Sequence, residues 1–269
     1  MCNRNNKPKF SVITVVKNSE KKILKTLKSV KFQSYKNFEH IIVDGFSNDN
    51  TPEKITLNKY SQLNFFKFKD KNLYDAINFA LKKSKGQFVL FLHAGDFFFS
   101  EHTLRYINEI TDEETDIILG GCIFFNEKFK IKRVWEVSEN FIDSSNSLEV
   151  PHTGTVISKN LINKLGLYNI KYSISSDTDY LIRLFKNNNN IKVLNDFVCF
   201  METGGLSTNY KTFLKKLIQD LQIYYKHFGV YALYRYFIKI FSKIDQFNNN
   251  YKNLGYEVKL INMIKLTES

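Results

Sequence analysis

The 269 residues are 43% hydrophobic and 15% aromatic, enough for a real core, and their net charge of +12 suits anionic partners: nucleoside diphosphates, phospholipid head groups or nucleic acid. Three scattered cysteines (Cys2, Cys122, Cys199) offer neither a disulfide framework nor metal-ligand spacing and fit a reducing cytoplasm. The lead-in Met1–Phe10 lacks the apolar core of a signal peptide, and no run approaches the ~18 apolar residues of a membrane span.

Phe10–Val16 is β-branched and apolar and predicts a first buried strand. Ser19 is a plausible N-cap for a helix whose stripe is Ile23, Leu24, Leu27 and Val30. Phe38–Asp44 predicts a second strand, ending in a carboxylate. The polar turn Gly45–Thr51 follows, with Thr51 as cap and Pro52 opening a short helix. Leu63–Phe68 predicts a third strand. Lys69–Asn72 leads into a helix through Lys83, closed by Gly86. Its core stripe is Ile77, Ala80 and Leu81, while Tyr74, Asp75 and Asn78 share a polar face. Strands alternating with helices predict an α/β, doubly wound sheet.

The central stretch is Phe88–Asp96. Five apolar residues read as a strand buried on both faces, and it stops at Gly95 and Asp96. A carboxylate there sits where open α/β sheets place ligands. Phe97–Phe99 is expected to pack beneath it. A helix over Glu101–Ile110 follows, then a hairpin of Asp116–Phe125 and Ile131–Val137. Ser138–Val150 reads as a loop over the site. Pro151–Ile157 predicts a short strand and Lys159–Leu165 a helix capped by Gly166. Ser173–Asp179 opens a helix over Tyr180–Lys186. Asn187–Asn190 is a loop, Ile191–Met201 a strand, and Glu202–Ser207 a glycine turn.

Beyond residue 207 the composition changes. Phe213, Leu214, Leu217, Leu221, Tyr224, Tyr225 and Phe228 fall at helical spacing, as do Val230, Leu233, Tyr234, Phe237, Ile240, Phe241, Ile244 and Phe247. Arg235, Lys239 and Lys243 flank the second stripe. Two basic amphipathic helices read either as a docked cap or as a membrane-surface anchor. The division is therefore a domain over 1–207 and a helical tail over 208–269.

Asp44, Asp70, Asp96 and Asp177 fall at strand ends or helix starts, and Lys17, Lys69 and Lys71 fall near the same edge. Acids and bases on one rim suit a phosphate ligand bridged by Mg²⁺ or Mn²⁺, held by Asp96. The chain has no P-loop, no G-x-G-x-x-G after the first strand and no G-x-S-x-G elbow.

Ser11–Ser19, Gln33–Asn37, Ile41–Thr51, Asp70–Asn78 and Leu92–Asp96 occur in an order that resembles the family 2 glycosyltransferases of GT-A fold, of the bacterial surface-polysaccharide type. Asp177–Arg183 and Gly204–Ser207 match that subgroup too. The resemblance spans about residues 9 to 207. It implies inverting transfer of a sugar from a nucleoside diphosphate sugar, usually UDP-linked, to a glycan or polyprenyl-diphosphate-linked acceptor. By the same resemblance, Val15, Lys17 and Asp44 border the base and ribose. Asp70, Tyr74, Asp75 and Asn78 line the donor pocket, and Asp96 ends the metal motif. Asp177 is the general base, with Asp179 its rival. Three positions depart from the pattern: Gly95 stands where Asp is common, His93 where Asn is common, and Phe46 where Gly is common. His152, after Pro151, matches a position often held by His and would approach the acceptor or the diphosphate.

Two further classes compete. Gly95 admits a catalytically silent nucleotide-sugar or polyanion binder. The basic, aromatic tail admits a nucleic-acid module, but no reader motif supports it, so no nucleic-acid partner is expected. The expected location is the inner face of the cytoplasmic membrane, with peripheral contact to anionic lipid. Oligomeric state is left open.

Overall fold

The computed structural model describes residues 7–137, 150–186, 189–204, 210–237 and 254–268. Among the described residues nine strands form one mixed sheet, in the order β3 (Leu63–Lys67), β2 (Phe38–Asp44), β1 (Phe10–Val16), β4 (Phe88–Phe91), β8 (Thr155–Ser158), β6 (Ile117–Phe125), β9 (Ile191–Glu202), β5 (Phe97–Phe98), with β7 (Ile131–Trp135) paired to β6. β1 (Phe10–Val16), β2 (Phe38–Asp44), β3 (Leu63–Lys67) and β4 (Phe88–Phe91) run parallel. Helices α1 (Ile23–Lys31), α2 (Thr51–Leu57) and α3 (Leu73–Lys83) connect them. β1, β2 and β4 are buried along their whole length; β4 is an unbroken apolar run, while β1 and β2 also bury Ser11, Thr14, Glu39 and His40, which pair across the strands as Ser11–Glu39 and Thr14–His40.

The second half is mixed. β8 (Thr155–Ser158) runs antiparallel to β4 and to β6 (Ile117–Phe125), and β9 (Ile191–Glu202) runs parallel to β6. β5 (Phe97–Phe98) adds antiparallel to β9. β6 and β7 (Ile131–Trp135) make the expected hairpin. α4 (Thr103–Glu109), α5 (Lys159–Leu165) and α6 (Ser176–Phe185) complete the body. The antiparallel pairing of β5 with β9 sets Phe97 opposite Phe200, so the Glu202 amide at the end of β9 reaches Asp96, just before β5.

Several local expectations are corrected. Ser19 does not cap α1: its hydroxyl turns to the Lys17 carbonyl, while its own carbonyl accepts from Lys22 and Ile23. Thr51 is the first helical residue of α2, and its Oγ1 accepts from the Ser19 amide instead. Gly86 does not close α3, which ends at Lys83 with Ser84 as its C-cap. Gly86 is there for space, because a Cβ would lie 2.5 Å from the Ser11 amide nitrogen. His152–Gly154 forms a 3-10 turn, so β8 begins only at Thr155. The loop expectation for Ser138–Val150 falls almost wholly outside the described residues.

The tail packs on the body. Helix α7 (Tyr210–Phe228) lies on α6, and the terminal helix Leu254–Glu268 lies on α1. Leu260, Met263 and Ile264 share a core with Phe97, Phe99, Phe125 and Phe200; the sequence reading did not foresee this helix. Of the expected second stripe, Ile240, Phe241, Ile244 and Phe247 lie outside the described residues; 232–237 are helical. The first stripe does not point inward as a unit. Of its residues Phe213, Leu214 and Tyr225 are exposed and Tyr224 is buried, beside Gln219, Asp220 and Ile223.

Candidate active site

A cavity of about 540 Å³ opens where β1 and β4 end, the position at which wound sheets bind ligands. Six expected residues line it: Val15, Lys17, Tyr74, Asp96, His152 and Asp177. Asp96 and Asp177 thus face one space, although 81 positions apart in the chain.

Asp96 is 5% exposed. Its turn is held by α1, where the Thr26 hydroxyl donates to the Asp96 carbonyl at 2.7 Å and accepts from the Gly95 amide at 3.0 Å. Gly95 has φ +101°, a conformation that favours glycine. A Cβ there would lie 3.0 Å from Glu202 Oε2 and 3.2 Å from Lys22 Cδ. The place of the missing carboxylate is therefore occupied by a Glu202–Lys22 ion pair, with N···O 2.8 Å. The Glu202 amide donates to Asp96 Oδ1 at 3.1 Å. Burial, with the Glu202 charge beside it, pushes the Asp96 carboxyl up to about 7.

Two carboxylates in so little water favour a cation. A hard divalent ion takes one or two carboxylates and fills its sphere with water and phosphate oxygens, so Asp96 and Glu202 fit Mn²⁺ or Mg²⁺. Among the described residues no group of three or more His, Cys, Asp or Glu could hold a metal, so the protein's share of ligands would be small. Glu202 and Lys22 were not singled out from sequence. The available signal was an acidic residue at the end of a long strand.

At the far side of the cavity, Asp177 stands in the first turn of α6. The Tyr74 hydroxyl lies 3.0 Å from Asp177 Oδ1 and 2.8 Å from the Ile174 carbonyl oxygen. The floor is aromatic and imidazole. His152 stacks on Phe91 with centroids 4.7 Å apart, and its Nε2 lies 2.7 Å from the Tyr168 hydroxyl. His93 lies nearly parallel to His152 at 6.5 Å. Among the described residues its buried Nδ1 has no hydrogen-bond partner. Burial holds both imidazoles below their usual range, His93 at about 4, so neither carries charge at neutral pH. Arg133 and Trp135 of β7, and Lys216 of α7, complete the wall.

The remaining expected residues are not among those lining the cavity. Asp44 is fully buried and holds the following turn, accepting from the Ser47 amide at 3.1 Å and from its hydroxyl. Asp70 lies beside Lys17. Burial and the charges of Asp75 and Asp44 push its carboxyl up, and Lys17 offsets part of this. Gly45 leaves room for it, since a Cβ would meet Asp70 Oδ2 at 2.6 Å. Asp75 accepts from the Lys71 amide in the first turn of α3.

Two expectations are corrected outright. Asn78 spends its amide on Tyr168, donating to that residue's carbonyl and accepting from its N–H, both at 2.9 Å. It therefore clamps a loop instead of facing a donor. Asp179 is 1% exposed and bound by Arg183, Lys226 and His227 at 2.9–3.0 Å. Burial raises its proton affinity, but the His227 and Lys226 hydrogen bonds outweigh that and hold it well below the usual carboxylate range. So placed, it is no rival base.

A family model described as "Glycosyl transferase family 2" matches residues 11–166. A PGL/p-HBAD biosynthesis glycosyltransferase of Mycobacterium bovis is 27% identical over 219 residues, covering 78% of this chain and 84% of that one. Among solved structures, Staphylococcus aureus TarS 1–349 in complex with UDP-GlcNAc superposes with a TM-score of 0.65 at 18% identity, covering 96% of this chain and 80% of that one. The mannosyltransferase PcManGT from Pyrobaculum calidifontis, in complex with GDP-Man and Mn²⁺, gives 0.60 at 15% identity, covering 97% and 74%. The sheet is thus the GT-A glycosyltransferase fold.

Proposed function

The chain belongs to glycosyl transferase family 2, and from that premise we propose an inverting transferase that moves a sugar from a nucleoside diphosphate sugar, UDP-linked, to a hydroxyl of a glycan or polyprenyl-diphosphate-linked acceptor in surface-polysaccharide synthesis. The observation that carries this reading is that Asp96 and Asp177 line one cavity. The UDP-GlcNAc and GDP-Man held by the structural neighbours support a nucleotide-sugar donor.

In this reading the residues divide the work. The donor's base and ribose lie toward Val15 and Lys17, beside the turn that Asp44 holds, with Asp70 steadying Lys17. Asp177, aligned by Tyr74, accepts the proton of the acceptor hydroxyl as that oxygen attacks the anomeric carbon. Lys17 and Lys22 stabilise the charge that grows on the departing diphosphate. Asp96 and Glu202 would hold the divalent ion, which when bound supplies further charge stabilisation to that diphosphate. Neutral His93 and His152 leave the pocket floor uncharged and packed. Attack opposite the leaving group inverts the anomeric centre.

The transferase unit is assigned to 1–207 and the tail to 208–269, with that boundary inside residues 205–209, which are not described. Among the described residues no helix is long and apolar enough to cross a membrane. The exposed Phe213, Leu214, Ile218, Tyr225 and Tyr231, on a strongly basic chain, support peripheral contact with anionic lipid at the inner face of the membrane. Replacing Phe213, Leu214 and Tyr225 by serine should abolish co-sedimentation with anionic vesicles. Unchanged binding would remove the membrane assignment.

The test of the whole reading is a thermal-shift panel of nucleoside diphosphates and their sugars with and without Mn²⁺, followed by donor turnover. UDP with metal should shift the wild type most. Asp177→Asn should keep that shift and lower turnover by about 10²–10⁴-fold. Full turnover in Asp177→Asn would overturn the base, and binding without turnover by the wild type would favour the silent binder.

A further inference from the structure

We infer that Gln219, on tail helix α7, is a positioning residue for Asp177, which makes α7 part of the catalytic unit. This rests on the reading of Asp177 as the base.

Asp177 follows a short non-helical approach, Ser173–Ser175, into α6. The amides of Ile174 and Ser175 both donate to Gln219 Oε1, at 2.9 and 3.2 Å. The Gln219 amide nitrogen lies 3.2 Å from Ser173 Oγ. One side chain therefore engages three consecutive residues of the approach. Gln219 is only 7% exposed, so water does not readily replace it. On the opposite side, the Tyr74 hydroxyl of α3 reaches the Ile174 carbonyl and Asp177 itself. The Ile174 residue is thus gripped through its N–H by α7 and through its carbonyl by α3.

Further contacts along α7 act in the same direction. Lys226 and His227 bind Asp179 Oδ1 at 3.0 and 2.9 Å, two residues beyond Asp177. Lys216, which lines the cavity, pairs with the buried Asp220 at 2.8 Å. Residues 216, 219, 220, 223, 226 and 227 recur at three- and four-residue spacing and share one face of the helix. That face buries Gln219, Asp220 and Ile223, while Phe213, Leu214, Ile218 and Tyr225 of α7 are exposed. Residues 210–228 also lie beyond the 11–166 match, so this support belongs to the tail.

The experiment uses the full chain and release of UDP from UDP-GlcNAc, UDP-glucose or UDP-galactose with Mn²⁺, together with calorimetric binding of UDP. Gln219→Leu should lower kcat by about 10- to 100-fold, with donor KM and UDP affinity within about twofold of wild type. Gln219→Glu retains the acceptor oxygen and should recover most of kcat. If Gln219→Leu fails to fold, Gln219→Asn, which withdraws the amide by one methylene, carries the same test. Wild-type kcat in the leucine variant while Asp177→Asn is inactive overturns the positioning role and leaves the base intact. Turnover by Asp177→Asn at the wild-type rate defeats the underlying reading instead. An equal loss of UDP affinity and kcat in Gln219→Leu, unrelieved in Gln219→Glu, also overturns the proposal, since it marks a structural role.

Discussion

The Tyr74 hydroxyl lies 3.0 Å from Asp177 Oδ1, joining the first turn of α3 to the first turn of α6 across 103 positions of sequence. Tyr74 is 3% exposed and stacks near Tyr168 with centroids 5.8 Å apart, so its oxygen is held by packing. Tyr74→Phe keeps that packing and removes one hydrogen bond. It should lower kcat about 5- to 20-fold, the equivalent of about 1–2 kcal/mol, and leave donor KM unchanged. Steady-state kinetics would check this; an unaltered kcat would mean that Asp177 needs no such partner.

Asp96 and Glu202 form the cation-seeking end of the cavity. Asp96→Asn should remove the Mn²⁺-dependent part of UDP binding, while Glu202→Gln should weaken it by about 10- to 100-fold. Calorimetry with and without Mn²⁺ separates the two effects. Equal UDP affinity with and without metal in the wild type would exclude this end of the cavity as a metal site.

His40 is fully buried between Thr14, at 2.9 Å from Nε2, and Tyr60. Burial lowers its pKa to about 3, against about 6.5 in an unfolded chain. The unfolded state therefore binds the proton first. Stability from this residue is complete above about pH 6.5 and declines as pH falls toward 3. At pH 5 the loss should be about 2 kcal/mol. Denaturant midpoints at pH 7 and 5 should fall less in His40→Gln than in wild type, and an identical fall in both would contradict the assignment.

Gly154 ends the turn that carries His152. A Cβ there would lie 2.2 Å from the Gly120 carbonyl oxygen and 2.8 Å from Pro151 Cγ. Neither atom is the end of a flexible side chain. Gly154→Ala should cost about 1–3 kcal/mol or more, lowering Tm by about 2–4 °C per kcal/mol. Because His152 shares the turn, donor affinity should fall as well. A scanning-calorimetry trace unchanged from wild type would show that the turn yields freely.

What could be read before folding was local. Strands β1, β2 and β4 were declared by runs rich in apolar and β-branched residues, unbroken only in β4. Carboxylates at chain punctuation marked Asp96 and Asp177, and the order of short motifs pointed to the family. Capping was read less well: Ser19 and Thr51 carry suitable side chains, yet each spends them on contacts outside its own helix. Periodicity in the tail revealed a helix but not which face turns inward. That depended on Asp179 of α6 and on the Ile174–Ser175 amides just before it. Glu202 was invisible because its partner is 106 positions away, brought close by the antiparallel pairing of β5 with β9. Sequence alone determined most elements of the wound sheet, though not the helix Leu254–Glu268, and the acidic ends of the strands, because these follow from neighbours a few residues apart. Only tertiary structure decided that Glu202 stands beside Asp96, that Asp179 is locked away and that α7 braces Asp177, since each depends on charges and amides meeting across the sheet.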